Sequence, residues 1–549
     1  RFVPLDIFPS EMLDRLEVTK SLTADQEGDG IGGAVNLIMK DAPTERQLTA
    51  TLSTGYNAMY LDRDFQSFNK GAIVKQSPYE AMGKPADYKV TEADFTSDNL
   101  HMKWSKPLPD LTAGLSYGDR FFRDRLGVMV AGSFLNTYRG KESDLYYQPG
   151  TTNNGIEQRN YSTQQTRMGA HVKLDYSLNP QHKLTWYNGY MDMREAEVRD
   201  GEDEKERTVR MRWNRQYIVN STLKGEHLFL PDNALKLNWS AVLSKAFSET
   251  PDNAEIYLIG THVASSGAAI RRWEHNSDKD KAGYLDLQYT LKPTVGRFDL
   301  SVGGLFRDKR RDSLFNEYTF NSATGTMQPQ YLHQDWKNFD EIQLTPRPYG
   351  NIGDPLNYDA TEQIGAAYGM VKFTRGRWEL IAGLRMEHTK QGYVLKFPRD
   401  VDPEGEQRYT DWLPSFHAKW QPHTNANLRF SYARAINRPS FFEIVPYSIL
   451  NEDYKEKGNP DLKHTVADNI DLRYEFFPKS SEQFMVGLFY KRLQNPIEYG
   501  LINEGQDTYY QPMNFGDARN LGAEVDVMKY FNWFGVKANY TYTHSRVTT

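Results

Sequence analysis

The chain has no cysteine in 549 residues. That one absence removes a disulfide framework, a thiolate metal site and a cysteine nucleophile. Nor does any run approach the roughly 18 apolar residues that a membrane-spanning helix needs. A mean hydropathy of -0.71 fits that lack. A helical membrane protein is thereby excluded, but a barrel is not, because barrel strands alternate lipid-facing apolar with lumen-facing polar residues and escape a hydropathy window. Charge of one sign is also scarce: 66 basic against 72 acidic side chains leave a net -6, so no broad nucleic-acid-binding face is expected. No Pro/Ser-rich linker or shift of composition divides the chain, which reads as one large unit. Neither end of these residues reads as a signal peptide, and the abrupt Arg1 and Thr549 read as trimmed ends, with targeting information cut away.

What is abundant is aromatic and alternating. Aromatic residues make up 13%, with 34 Tyr and 10 Trp, as in the interfacial girdles of membrane barrels. Beyond Lys40 the side chains alternate with period two: Val172, Leu174, Tyr176 and Leu178 interleave with His171, Lys173, Asp175 and Ser177. The pattern returns in 126–138, 285–291, 298–306, 378–386, 470–476, 484–490 and 536–542. Short turn-forming joins occur near 118–124, 179–182, 231–233, 292–296, 375–376, 421–425, 478–482 and 530–532. Between them lie long polar excursions, near 57–109, 139–163, 194–208, 250–280, 309–361, 390–406, 437–465 and 494–517. Short turns at one rim and long loops at the other are the asymmetry of a transmembrane barrel. With a first strand near Gln47, the count predicts an all-β, antiparallel transmembrane barrel with about 17 strands in this chain. Plugged outer-membrane transporters have about 22, so about five strands are expected beyond Thr549.

The segment 16–39, LEVTKSLTADQEGDGIGGAVNLIM, places Gly28, Gly30, Gly32 and Gly33 between two strand-like runs. Four glycines within six positions imply a tight turn pressed against another backbone. Asp25, Glu27 and Asp29 give a partial calcium-loop pattern, but its twelfth position is Asn36, not the required carboxylate. The Lys-Ser/Thr pair of a phosphate-cradling loop is missing too. As it stands the segment resembles the end of the plug domain of TonB-dependent outer-membrane receptors. Later segments resemble the same family in the expected order: SYARAINRPSFFEIVP with Arg438 and Pro439, GNPDLKHTVADNIDLRYEFF with Asn459 and Pro460, and NLGAEVDVMKYF from Asn520.

The resemblance implies residues 1–45 as the last part of a plug in the lumen and 46–549 as most of a barrel with long extracellular loops. It further implies a place in the outer membrane of a Gram-negative bacterium and energy-coupled uptake of an oligosaccharide, siderophore or similar nutrient. The implied partners are the TonB energy transducer (through a segment not among these residues), outer-membrane lipid and lipopolysaccharide, a surface lipoprotein and a small extracellular ligand. No cofactor and no catalysis are implied. A plugged barrel that no longer transports, serving surface binding or assembly, is the alternative. The amino-terminal Ton box distinguishes the two.

Other chemistry fares less well. GLSYG at 114–118 satisfies the serine-hydrolase pattern, yet Leu111, Ala113, Leu115 and Tyr117 alternate straight through it as a strand. No H-E-x-x-H occurs. A haem receptor of this family would place a histidine between the Arg-Pro and Asn-Pro boxes, and none lies between Pro439 and Asn459, although His464 follows. His275, His333 and His423 read as ordinary loop or turn residues. Arg271, Arg272 and Trp273, and the run 309–311, read as basic loops that could meet an anionic ligand, with lipopolysaccharide contact or plain solvation preferred. Tyr509 and Tyr510 suit sugar or peptide stacking. The acidic run 200–204 reads as a solvated tip able to collect a cation.

Overall fold

The computed structural model describes residues 12–83, 88–146, 156–203, 206–259, 262–263, 267–322, 344–350, 356–398, 401–450, 454–505 and 507–548. Two amino-terminal strands, β1 (Leu13–Thr19) and β2 (Ala34–Met39), pair as a separate antiparallel hairpin. Seventeen long strands then follow: β3 (Gln47–Gly55), β4 (Asp110–Phe121), β5 (Leu126–Tyr146), β6 (Ile156–Asn179), β7 (His182–Glu202), β8 (Glu206–Phe229), β9 (Leu235–Ile259), β10 (Ala269–Leu291), β11 (Arg297–Ser322), β12 (Tyr358–Arg375), β13 (Trp378–Leu395), β14 (Glu404–His423), β15 (Ala426–Asn437), β16 (Thr465–Phe476), β17 (Gln483–Gln494), β18 (Ala518–Tyr530) and β19 (Gly535–Val547). Each pairs antiparallel with the next, in a ring that follows chain order.

All eight short turns fall where the sequence puts them. Left-handed residues make several of them, including Phe122, Arg123 and Asp124 after β4 and Gly376 after β12. Strand order makes β19 the neighbour of β3, yet no residue register links these two. Every residue of both is exposed. We take this seam as unladdered, because a strand with a partner on each side loses accessible surface along both flanks. An odd strand count also makes the two run parallel.

Side-chain alternation separates the two faces of the wall. On β10, Leu285, Leu287, Tyr289 and Leu291 are exposed, while Tyr284, between them in parity, bonds Glu27 beside the hairpin turn. The exposed apolar face is therefore outside and the polar face lines the lumen. Near the short-turn rim, Trp378 of β13 stacks on Trp420 of β14 at 5.7 Å and 16°, both exposed, as an interfacial girdle requires.

The long excursions are less loop-like than the sequence suggests. Strands β5 to β11 run 21 to 26 residues, against about 9–11 for a membrane crossing, so 139–146, 156–163, 194–202, 206–208, 250–259, 269–280 and 309–322 are extended wall. Cross-strand pairing and lumen ion pairs sustain these walls above the lipid, where no apolar face is needed. The excursion after β3 does fold irregularly, and it packs against the outside of the wall. Phe68, Val90, Leu100 and Met102 join Val198, Val209, Met211, Ile256, Trp273, Tyr318 and Phe320 in one buried cluster. Trp273 shares the parity of Leu285 on a strand without register shifts against β11, which fixes that face as the outer one.

Candidate functional site

The turn joining β1 to β2 meets the inner wall on nearly all sides. Lys20 pairs with Glu524 of β18 at 2.5 Å, and Ser21 donates to Asp471 of β16 at 2.6 Å. His417 of β14 donates to the Leu22 carbonyl, and Lys491 of β17 to the Ile31 carbonyl at 2.8 Å. Glu27 accepts from Tyr284 at 2.7 Å and from Arg307 of β11 at 2.6 Å. At the base, Asp41 meets Lys173 of β6 and the Ala42 carbonyl accepts from Arg120 of β4. Contacts to opposite walls place this segment inside the ring.

The tightest cluster lies at the glycines. The Gly28 amide donates to Glu387 at 2.9 Å, and Glu387 also takes Arg385 at 2.6 Å and Arg438 at 2.5 Å. Arg438 reaches Thr389 at 3.1 Å and Asp29 at 3.8 Å. Burial works against its charge, yet Glu387 and Asp29 lift the guanidinium pKa above the ordinary arginine value. Residues 28–30 also exchange backbone bonds with Ile436 at the top of β15. A side chain at Gly28 would overlap Leu413, and one at Gly33, where φ is +105°, would meet the Thr19 carbonyl. Gly30 is tight against Leu22 at 3.2 Å, whereas nothing lies within 4 Å of Gly32. The close approach expected of all four thus applies to three. Asn36 pairs with Glu17 and borders a lumen cavity of about 840 Å³ that also touches Lys173, Tyr187, Asn220 and Asp286.

The other candidate residues take structural places. Pro439 accepts a bond from Gln391 at 2.8 Å through its carbonyl. Asn459 donates to the Pro512 carbonyl at 3.0 Å, and the Pro460 carbonyl accepts from Gln407 at 2.9 Å. These bonds pin the segment after β15, whose short helix Phe441–Ile444 is capped by Ser440 and Glu443.

Arg271, Arg272 and Trp273 are not in a loop. They lie on β10, Arg271 and Trp273 buried: Arg271 binds Asp252 at 2.7 Å and Asn99 at 3.0 Å, and Trp273 donates to the Val74 carbonyl at 2.9 Å. Arg272 pairs with Glu317 at 2.6 Å on the inner face. Positive charge beside a tryptophan looked like a binding tip because its cross-strand partners are distant in sequence. The run 309–311 is likewise wall, with Lys309 and Arg311 on Asp278. Tyr509 is buried under Lys457, and Tyr510 packs edge-on to Tyr454 at 5.0 Å, in a four-stranded sheet above the ring. Asp200 is paired with Arg207 at 2.7 Å. Ser116 sits mid-strand, His275 is on β10 against Glu80 at 3.4 Å, and His333 lies outside the described residues.

Glu387, Arg385, Thr389 and Gln391 were missed by sequence reading. Their signal is a polar residue at every second position of 385–391 within a strand. Residues 271–549, just over half of the chain, match the model of an outer membrane protein beta-barrel family. The chain belongs to that family. This outer-membrane barrel is similar to the unliganded ferric citrate transporter FecA at TM-score 0.60 and 12% identity, over 98% of this chain and 65% of FecA. It is also similar to the siderophore receptor PiuA from Acinetobacter baumannii (0.59, 13% identity, 97% and 69% covered). The ferric enterobactin receptor PfeA from Pseudomonas aeruginosa gives 0.58 and 15%, with 98% and 68% covered. The chain thus shares the fold of these outer-membrane transporters and receptors, and it spans about two-thirds of their length. No curated protein matches the sequence.

Proposed function

We propose that this barrel imports a nutrient ligand across the outer membrane in a TonB-dependent cycle, with residues 1–45 as plug and 46–549 as barrel. The observation that carries the reading is the polar seat of the glycine turn, in which Glu387 holds Gly28, Arg385 and Arg438. Buried charge-assisted bonds of this kind are strong when intact and exchange for water when broken, unlike an apolar interface. Ligand captured between the extended walls meets the apex of the turn at Glu27 to Asp29. Force from the inner-membrane transducer arrives through the amino-terminal side of β1 and strips these bonds. The ligand then passes along the cavity beside β2. Ferric siderophores are tested first and oligosaccharides second, because the structural neighbours are a ferric citrate transporter and a siderophore receptor.

The test is growth of a deletion strain on ferric siderophores as sole iron source and on oligosaccharides as sole carbon source, with uptake repeated after a protonophore. Loss of growth on one ligand, with uptake abolished by the protonophore, is expected. Uptake that persists in de-energised cells, or a deletion that changes none, would refute the proposal and favour a surface assembly role.

A further inference from the structure

Methionine and one histidine gather where the base of the amino-terminal hairpin meets the inner wall. The cluster there joins Met12 and Met39 of the hairpin segment to Met129 of β5 and to Met191 and Met193 of β7, with Ala42, Ala131 and Ile218 as its other members. Five of the chain's 16 methionines thus fill five of eight places in one contact. Met193 stands apart, its sulfur accepting from Gln165 at 3.6 Å.

His171 of β6 belongs to the same patch of wall. Register puts Ala131 of β5 and Gly189 of β7 directly opposite it, with Met129 and Met191 each one inward position farther, on opposite sides. Small residues face the imidazole and thioethers flank it. His171 is 1% exposed, and among the described residues neither of its ring nitrogens has a hydrogen-bond partner. Its ring lies 5.8 Å from that of Tyr187, whose buried hydroxyl lies over Gly189 and is also unpartnered. A buried imidazole with nothing to bond is costly.

Methionine is a usual filler of irregular contacts, yet filling alone leaves the imidazole unanswered. A soft cation answers both groups, because it takes thioether sulfur and imidazole nitrogen together. A hard divalent ion does not suit, since the described residues hold no group of three carboxylate, histidine or cysteine ligands. Charge points the same way. Asp41, beside Ala42 of the cluster, is already paired with Lys173 at 2.5 Å, so a single positive charge on polarisable ligands suits this place better than a double one. Entry is open as well, because Met39, Met191 and Tyr187 border the lumen cavity of about 840 Å³.

We propose that His171, Met129 and Met191 of the wall and Met12 and Met39 of the hairpin segment form a site for a soft monovalent cation, copper(I) or silver(I). The ion binds without change of oxidation state. With ligands from both sides, it staples the hairpin base to the barrel. The inference is independent of what the barrel imports.

Silver(I), a redox-silent probe with the ligand preference of copper(I), is titrated into the detergent-solubilised protein. Native mass spectrometry counts the bound metal, X-ray absorption at the silver edge reads its neighbours, and hydrogen exchange reads the hairpin base. The wild type should hold a single tight silver ion with sulfur and nitrogen neighbours, undisplaced by zinc(II). The combined His171→Leu, Met39→Leu and Met191→Leu variant, its folding checked by heat-modifiable gel mobility, should bind at least about tenfold more weakly. Met528→Leu on β18 should bind as wild type, and silver should slow exchange at residues 37–42 in the wild type alone among the first two. A wild type without a tight ion, or with oxygen neighbours only, overturns the site. So does undiminished affinity in the folded triple variant, or an equal fall in Met528→Leu. Binding that leaves exchange at 37–42 unchanged overturns the staple.

Discussion

The same wall is gripped from both sides, and the two grips differ in their balance: polar at the turn inside, more apolar under the excursion outside, where Arg271, Asp252 and Asn99 form a buried polar network beside the apolar cluster. Inside, the turn 20–33 is held by ion pairs, backbone amides and the close approach of Gly28, with Leu22 and Ala24 buried beside them, while Met12, Met39 and Ala42 at the base of the segment pack on Met129, Ala131 and Met191 of the wall. Outside, the excursion after β3 is held by an apolar cluster around Trp273, with Phe95 edge-on to Phe320 at 4.9 Å. An apolar cluster resists water and fixes its cover to the wall. A polar seat can be exchanged for solvent, and so suits a part that must leave and return.

The largest effect should come from the outer grip. Trp273→Ala removes a fully buried indole and its bond to Val74, and should cost about 3–5 kcal/mol of attachment of the excursion. Limited proteolysis between residues 57 and 105 measures it, and unchanged cleavage would break the contrast. Next comes Glu387→Gln, which leaves Arg438 buried with Asp29 at 3.8 Å as its remaining counter-charge and should weaken the inner seat by about 3 kcal/mol. The barrel should still insert and resist heating.

Smaller effects separate the glycines. Gly28→Val and Gly33→Val should each loosen the turn by about 1–3 kcal/mol, one through overlap with Leu413, the other through its positive φ. Gly32→Ala should stay within about 0.5 kcal/mol, since nothing lies within 4 Å of it. Trypsin sensitivity of the amino-terminal hairpin ranks the three. Smallest is a pH effect on the outer grip. Burial pushes the Glu80 carboxyl up, but bonds from His275 and Ser77 outweigh it and hold it below the ordinary value of 4.5. A depressed carboxyl contributes stability above its unfolded pKa and loses it as pH falls through the folded one. Cleavage of the excursion should therefore rise only below about pH 4.5, and Glu80→Gln should remove that rise.

Sequence alternation made the strands and turns readable where one face meets lipid, as in 285–291, and turn chemistry located all eight short joins. It failed higher on the same strands. There both faces of 269–281 meet protein or water, so Arg271, Trp273 and His275 looked like a loop although their partners Asp252, Val74 and Glu80 lie across strands or on another segment. The glycine turn was legible as a close approach. Its acceptor was not, because Glu387 is 359 residues away from Gly28.

Hydrogen–deuterium exchange of wild type and Glu387→Gln tests the central claim, that the turn is seated by bonds separable from the barrel. Exchange at residues 27–39 should rise by at least about tenfold while β12 to β15 and the outer excursion stay protected. Unchanged exchange at 27–39, or a rise spread evenly through the wall, would contradict it.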